Sequence, residues 1–135
     1  MNRGHLFTFL AVILVLPSLA RAQVVITDIM YDPVGADTGR EWVVVQNIGT
    51  TSVRLVDLRL RTSGVNHKIV ALSGDGMILS QARAAIVQDT TLFEQDNSGF
   101  VGTIFRASFT LTNTSGTVEI TDKSGVVVAS RVYQA

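Results

Sequence analysis

Four acidic side chains stand close together in the sequence, around a loop that contains Pro and Gly. They are Asp28, Asp32, Asp37 and Glu41. Carboxylate oxygens are the ligands that calcium takes in extracellular modules, but this spacing matches no EF-hand loop, which needs Gly at its sixth position and Glu at its twelfth. We favour a solvated loop in which Asp32 caps the turn at Pro33. Asp32, Asp37 and Glu41 remain the candidate metal ligands, and we predict no required metal or cofactor.

Histidine and cysteine are scarce, which restricts nucleophilic and metal chemistry. The chain has two His, His5 and His67, and no Cys. Disulfides, thiolate metal sites and a three-histidine zinc centre are therefore excluded. A Ser-His-Asp arrangement would have to use His67, yet no Gly-x-Ser-x-Gly motif occurs and the nearest serine, Ser63, falls in a predicted hairpin turn. No pair of carboxylates is singled out for glycoside hydrolysis. We predict that the protein is not an enzyme.

A few aromatic residues could instead bind a sugar by stacking. Trp42, Tyr31, Tyr133 and Phe100 are the candidates, since aromatic rings provide large apolar faces with specific geometry. Trp42 stands within a predicted strand and is expected to pack, whereas Phe100 follows Gly99 in a predicted loop and is the better exposed candidate. A carbohydrate-binding module therefore stays open as an alternative.

The charge balance argues against nucleic acid as a partner. The chain has 11 Lys and Arg against 11 Asp and Glu, so it lacks the excess of positive charge that neutralises phosphates. A local arginine face would remain if the segment from Val53 to Arg61 lay at a sheet edge. Its basic residues are Arg54, Arg59 and Arg61.

The first 22 residues have the pattern of a secretory signal peptide. Arg3 precedes a run from Leu6 to Leu16 that is apolar except for Thr8, and Ala20-Arg21-Ala22 ends the segment. The run is shorter than the roughly 20 residues that a membrane-spanning helix needs. We predict cleavage after Ala22, no permanent membrane anchor, and a secreted, periplasmic or envelope location. Export without cysteine favours a bacterial source.

Short β-prone runs separated by turn residues fill the rest of the chain. Of the 113 residues from Gln23 onward, 38 are Val, Ile or Thr, whose branched side chains favour strands. Together the runs predict one all-β domain over residues 23–135, a β-sandwich of about eight or nine strands. The runs are Val24–Met30, Glu41–Ile48, Val53–Arg61, His67–Leu72, Met77–Leu79, Ala84–Gln88, Phe109–Thr112, Thr117–Thr121 and Val126–Tyr133.

Alternation adds detail to three of these segments. Within Phe109–Thr112 the apolar and threonine residues alternate, which predicts a half-buried strand. Within Val53–Arg61 the apolar residues change parity, which predicts a bulge near Val56-Asp57. The stretch Thr91–Asp96 has modest helical propensity and predicts no more than one turn.

In this order, the segments resemble the lamin tail domain, an immunoglobulin-like module of nuclear lamins and of exported bacterial proteins. The resemblance covers nearly all of residues 24–133, and its opening and Glu-Trp segments are the more specific. The residues that carry it are Val25-Ile26-Thr27-Asp28-Ile29-Met30-Tyr31-Asp32-Pro33, Glu41-Trp42-Val43, Gln46-Asn47-Ile48-Gly49, Val53-Arg54-Leu55, Leu58-Arg59-Leu60, Phe109-Thr110-Leu111-Thr112-Asn113, Gly116-Thr117-Val118-Glu119-Ile120-Thr121-Asp122, Gly125 and Val132-Tyr133.

The resemblance implies an immunoglobulin-like fold and a non-enzymatic, exported module. Such a module would bind another envelope or extracellular protein or serve a structural role, alone or beside a secreted hydrolase or nuclease. The alternative is a carbohydrate-binding or calcium-assisted adhesion module. Two positions depart from the family pattern, Val44 in place of an acidic residue and Asp57-Leu58 in place of Gly-Trp. Val44 makes its strand apolar on both faces, so it is either buried, the favoured interpretation, or part of an interface.

Overall fold

The computed structural model describes residues 23–135 and confirms an all-β sandwich. The predicted signal peptide, residues 1–22, lies outside the described residues. The described part contains eleven strands, a single turn of 3₁₀-helix at Leu55–Asp57 and one α-helix, α1, at Thr90–Asp96. The strands are β1 Val24–Met30, β2 Trp42–Asn47, β3 Val53–Arg54, β4 Arg59–Thr62, β5 Val65–Lys68, β6 Val70–Ala71, β7 Met77–Ile78, β8 Arg83–Val87, β9 Thr103–Arg106, β10 Ser115–Thr121 and β11 Val127–Gln134.

Two main sheets and a short third one enclose the core. One has the strand order β1-β2-β8-β9-β6, the second has the order β11-β10-β4-β5, and β3 pairs with β7. All pairs are antiparallel except β8 with β9. Because side chains alternate across each strand, one face of both main sheets turns to a common core. Its largest fully buried members include Phe105, Leu55, Leu60, Ile69, Ile78, Ile86 and Ile120.

The α-helix explains why β2 and β8 are apolar on both faces. It lies in the crossover between the parallel strands β8 and β9, and such crossovers place a helix over the sheet. A second buried cluster lies there, formed by Val44, Ala85, Val87 and Phe93, with Trp42, Phe100 and Ile104 packed against it. Val44 is only 2% exposed. Its predicted burial is confirmed, and it is therefore not available as a surface residue for binding.

The helix is also longer than predicted. Its seven residues make about two turns, and the Asp89 carboxylate accepts a hydrogen bond from the Leu92 N–H at 3.0 Å. A cap of this kind satisfies one of the N–H groups that the first turn leaves without a partner.

The segment Val53–Arg61 is not one bulged strand. Its first two residues form β3, Leu55–Asp57 form the 3₁₀ turn, and β4 begins at Arg59 in a different sheet. The change in parity therefore marks the point where the chain leaves one sheet and enters the other. Because β4 lies between β10 and β5, its arginines do not form an edge face.

The segment Phe109–Thr112 is buried as predicted but is not a strand. Phe109 and Leu111 are 5% and 8% exposed, in agreement with the alternation. Backbone donors of this segment, however, bond to side chains. The Leu111 N–H donates to Glu41 Oε2 at 3.0 Å, and the Thr112 N–H donates to the Tyr133 hydroxyl at 3.1 Å. Side-chain acceptors thus replace the neighbouring strand.

The two sides of the sandwich differ in how their sheet edges meet. On one side, the edge strands β1 and β11 pack together, and Arg131 donates hydrogen bonds to the carbonyls of Ile26, at 3.2 Å, and of Thr27. On the other side, the edge strands are β5 and β6, which are joined through the buried Ile69. A groove opens on this second side.

Candidate functional site

A wide groove lies beside the edge strands β5 and β6. It has a volume of about 770 Å³, comparable to ligand pockets of roughly 300–1,000 Å³. Most of its lining comes from these strands, from the end of β9 and from the segment that follows β9, and Gly39, Leu72 and Gln88 complete it. The lining residues are Gly39, Asn66, His67, Lys68, Val70, Leu72, Gln88, Arg106, Ala107, Ser108 and Phe109.

A buried network holds the segment that follows β9. Gln88 Nε2 donates to Glu41 Oε2 at 2.6 Å and to the Phe109 carbonyl at 2.7 Å. The Glu41 N–H donates in turn to Gln88 Oε1 at 3.0 Å. Since Glu41 Oε2 also accepts from the Leu111 N–H, one carboxylate ties the start of β2, the end of β8 and residues 109–111 together. The network thereby fixes one wall of the groove.

The environment of Glu41 disfavours its charged form. Burial raises the pKa of its carboxyl, and the nearby charge of Asp37 raises this pKa further. The hydrogen bonds from Leu111 and Gln88 act in the opposite direction. Glu41 is 4% exposed, and its Oε2 accepts hydrogen bonds within the fold. The structure therefore does not present Glu41 to solvent as a metal ligand beside the other acidic residues of the loop.

The other three acidic residues of that loop are dispersed. Asp28 Oδ2 pairs with Arg83 Nη2 at 2.8 Å, Asp37 Oδ2 accepts from Asn113 Nδ2 at 2.6 Å, and Asp32 is exposed. In residues 23–135, no three His, Asp or Glu side chains are grouped so that they could hold a metal ion.

The histidine of the groove has a structural partner. His67 Nε2 lies 3.0 Å from Thr62 Oγ1, and its ring centroid lies 6.3 Å from that of Phe109. His67 faces Leu60 across the β4–β5 pair, so it points toward the core side of the sheet. Its ring therefore closes the floor of the groove together with Phe109.

The predicted stacking residues are engaged in packing. Trp42 meets Phe93 edge to face with centroids 5.8 Å apart, and Phe100 meets Phe93 in the same way at 5.3 Å. The guanidinium of Arg83 lies 5.8 Å from the Phe100 centroid, a cation–π arrangement. Trp42 and Phe100 are thus brought together, but as half-buried members of the cluster under α1 that border a shallow pocket of about 340 Å³.

Of the polar residues that line the groove, the sequence patterns singled out only His67, and for a different kind of chemistry. Lys68, Gln88, Arg106 and Ser108 belong to no motif. A partial signal was present in the exposed apolar residues Val70 and Leu72, because they follow Lys68 at the alternating spacing of a strand. Their meeting with residues 106–109 depends on the antiparallel pairing of β6 with the distant β9, which no local pattern encodes.

Fold and groove together define a β-sandwich with an open, basic edge. Neither a protein-family model, nor a curated protein, nor a solved structure matches the chain. Among residues 23–135, no helix has the length and apolar character needed to cross a membrane.

Proposed function

We propose that this chain is a non-enzymatic, exported recognition module of the lamin tail type. It binds an extended segment of another envelope or extracellular protein in the groove beside β5 and β6. The observation that carries the proposal is the groove itself, because it lies where the edge strands of both main sheets come together.

Edge strands are natural sites for the addition of a partner strand. Each leaves one row of backbone N–H and C=O groups without a partner in its own sheet, and recognition by strand addition uses such a row for affinity. The rim beside it is apolar, since Val65, Val70 and Leu72 are 56%, 45% and 47% exposed. Backbone pairing and apolar contacts can therefore act on the same extended segment.

The opposite side of the sandwich is less suited to this role. There β1 and β11 lie against each other, and Arg131 already occupies the carbonyls at the bulge of β1. A partner strand would have to displace these hydrogen bonds before it could pair.

One feature of the sequence supports the exported location, because the leader pattern of residues 1–22 favours secretion. The resemblance to lamin tail domains supports a binding or structural role in an envelope or extracellular assembly. A carbohydrate-binding role has less support, because Trp42 and Phe100 pack against Phe93.

A random-peptide display selection on the purified protein, expressed from the full chain, tests the proposal. We expect enriched peptides whose binding is lost in Ser108→Trp, since Ser108 is exposed and lines the groove. The matched control is Ser52→Trp, which is also exposed and does not line the groove. Enriched peptides that bind Ser108→Trp and wild type equally, or a selection that enriches none, would contradict the proposal.

A further inference from the structure

We infer that the segment bound in this groove carries carboxylate side chains that pair with Lys68 and Arg106. This inference rests on the proposed function and names the chemical class of its partner: an extended peptide that carries both acidic and apolar side chains.

The first observation concerns how the basic residues of the described part are neutralised. Of the eleven Lys and Arg in the chain, nine lie in residues 23–135. Five of them form ion pairs with Asp or Glu, and Arg59 and Arg131 donate to backbone carbonyls. Within residues 23–135, Lys68 and Arg106 alone have neither an ion pair nor a hydrogen bond from their side chains. Both line the groove.

The second observation is that, within residues 23–135, no acidic residue lines the groove. Glu41, which holds one wall from behind, is buried and accepts hydrogen bonds from Gln88 and Leu111. The lining of the groove therefore presents positive but no negative side chains to an occupant.

The third observation is the order of charges and apolar side chains along the rim. Val70 stands opposite Arg106 in the β6–β9 pair, while Lys68 and Leu72 are two residues before and after Val70. Since side chains two residues apart in an extended chain point to the same face, cations and apolar side chains stand side by side along this rim, and a partner segment that carries both acidic and apolar side chains can contact both kinds.

An extended peptide fits these observations better than a charged glycan. Sugar recognition relies on exposed aromatic faces, but Phe109, the one aromatic side chain besides His67 in the lining, is 5% exposed. The edge strands offer a row of backbone N–H and C=O groups. A peptide backbone can pair with this row along its length, whereas a glycan lacks donors and acceptors at the same spacing.

Binding of three labelled peptides, followed by fluorescence anisotropy, tests the inference on the protein expressed from the full chain. The acidic probe alternates Glu and Val, the neutral probe has Gln for each Glu, and the basic probe has Lys. All three carry the same Gly-Ser tail. Exposed ion pairs are individually weak, so we expect the acidic probe to bind roughly three- to thirty-fold more tightly than the neutral one. High salt should remove this preference.

Two double variants assign the effect to the groove. Lys68→Gln with Arg106→Gln should lose the preference for the acidic probe. Arg54→Gln with Lys123→Gln makes the same change in net charge and should retain it, since these cations pair with Asp57 and do not line the groove.

Each other outcome overturns a defined part of the account. Equal binding of acidic and neutral probes that is lost in Ser108→Trp overturns the inference and leaves the proposed function standing. Binding of oligogalacturonate, but not of the acidic probe, with dependence on Lys68 and Arg106 overturns the peptide in favour of an acidic glycan. If none of the three peptide probes and no oligogalacturonate binds, both the inference and the proposed function fail.

Discussion

Glu41 is a buried carboxylate that the fold stabilises by hydrogen bonds rather than by an opposite charge. Its oxygen accepts from Gln88 and from the Leu111 N–H, and these bonds hold one wall of the groove. The carboxylate therefore serves the site by positioning its backbone, although the sequence placed it among possible calcium ligands.

The variant Glu41→Gln should change how stability depends on pH. Because burial raises the pKa of Glu41 above its value in the unfolded chain, its favourable contribution is complete below the unfolded pKa and is lost as pH rises through the folded pKa. A glutamine keeps an acceptor for Leu111 without this loss. Urea unfolding at several pH values should show the variant gaining stability relative to wild type from about pH 4.5 toward neutrality. A constant difference, or the opposite trend, would contradict the assignment.

Asn47 is a second buried polar residue whose side chain joins several loops. Its Nδ2 donates to the carbonyls of Thr51, Ile78 and Leu79 at 2.7, 3.3 and 3.2 Å, and its Oδ1 accepts from the Gly49 N–H at 3.0 Å. These bonds connect the end of β2 to β7, and they use both the donor and the acceptor of the Asn47 amide.

Replacing Asn47 with alanine should be costly, because buried carbonyls would lose their donor. We expect Asn47→Ala to lower the free energy of unfolding by about 2–3 kcal/mol. Its neighbour Gln46, whose side-chain bond to the Gln81 carbonyl is exposed, provides the control, and Gln46→Ala should cost less than about 1 kcal/mol. Chemical denaturation measures both, and similar losses would refute the special role of Asn47.

At the scale of elements, α1 is the element whose length the sequence underestimated. Seven residues suffice because Phe93 anchors the helix to Val44, Ala85 and Val87 on the outer face of the sheet. The helix thus covers an apolar face that would otherwise be exposed.

Truncation of this anchor should destabilise the fold substantially. We expect Phe93→Ala to cost about 3 kcal/mol, at the low end for buried Phe, since its cluster is the smaller of the two. Gln95→Ala, on the exposed part of the same helix, should change stability by less than about 0.5 kcal/mol. Equal effects of the two variants in thermal or urea unfolding would show that α1 does not contribute to the core.

Local sequence patterns predicted the strands that pair with the next strand along the chain. β1 was predicted with the bounds that the structure shows, Val24–Met30, because its branched residues favour a strand and a loop that contains Pro and Gly follows it. β9, Thr103–Arg106, was missed, because its four residues become a strand through pairing with two distant strands, with β8 beyond an intervening helix and with the short β6. The segment Phe109–Thr112 was misassigned because side-chain acceptors from distant residues replace its strand partner.

The candidate site was even less accessible to local patterns. Its two cations, Lys68 and Arg106, come from segments 38 residues apart. That neither forms an ion pair within residues 23–135 depends on where the fold places the acidic residues. Sequence reasoning predicted a sandwich that binds another protein, but not which part of its surface forms the groove.

At the scale of the whole molecule, the sandwich is closed on one side and open on the other. Arg131 joins β11 to β1 through the carbonyls of Ile26 and Thr27. Arg131→Met keeps an apolar stem of similar length but removes these bonds. It should speed hydrogen exchange in β1 and β11 and lower stability by about 1–2 kcal/mol, while β5 stays unchanged.

The control for this closure is Arg54→Met, because Arg54 pairs with Asp57 at the surface. It should leave the exchange rates of β1 and β11 as in wild type. Uniformly faster exchange across both sheets in Arg131→Met would indicate general destabilisation and contradict a local role in closing this side.

The measurement that tests the account most directly is a map of where the acidic peptide binds. Addition of the Glu-Val probe to the ¹⁵N-labelled protein, followed by backbone amide chemical shifts, reports each strand separately. The account predicts the largest shifts in β5, β6 and residues 106–109. Shifts centred on β1 or β11, or no shifts at saturating probe, would contradict the claim that the open edge of the sandwich is the binding site.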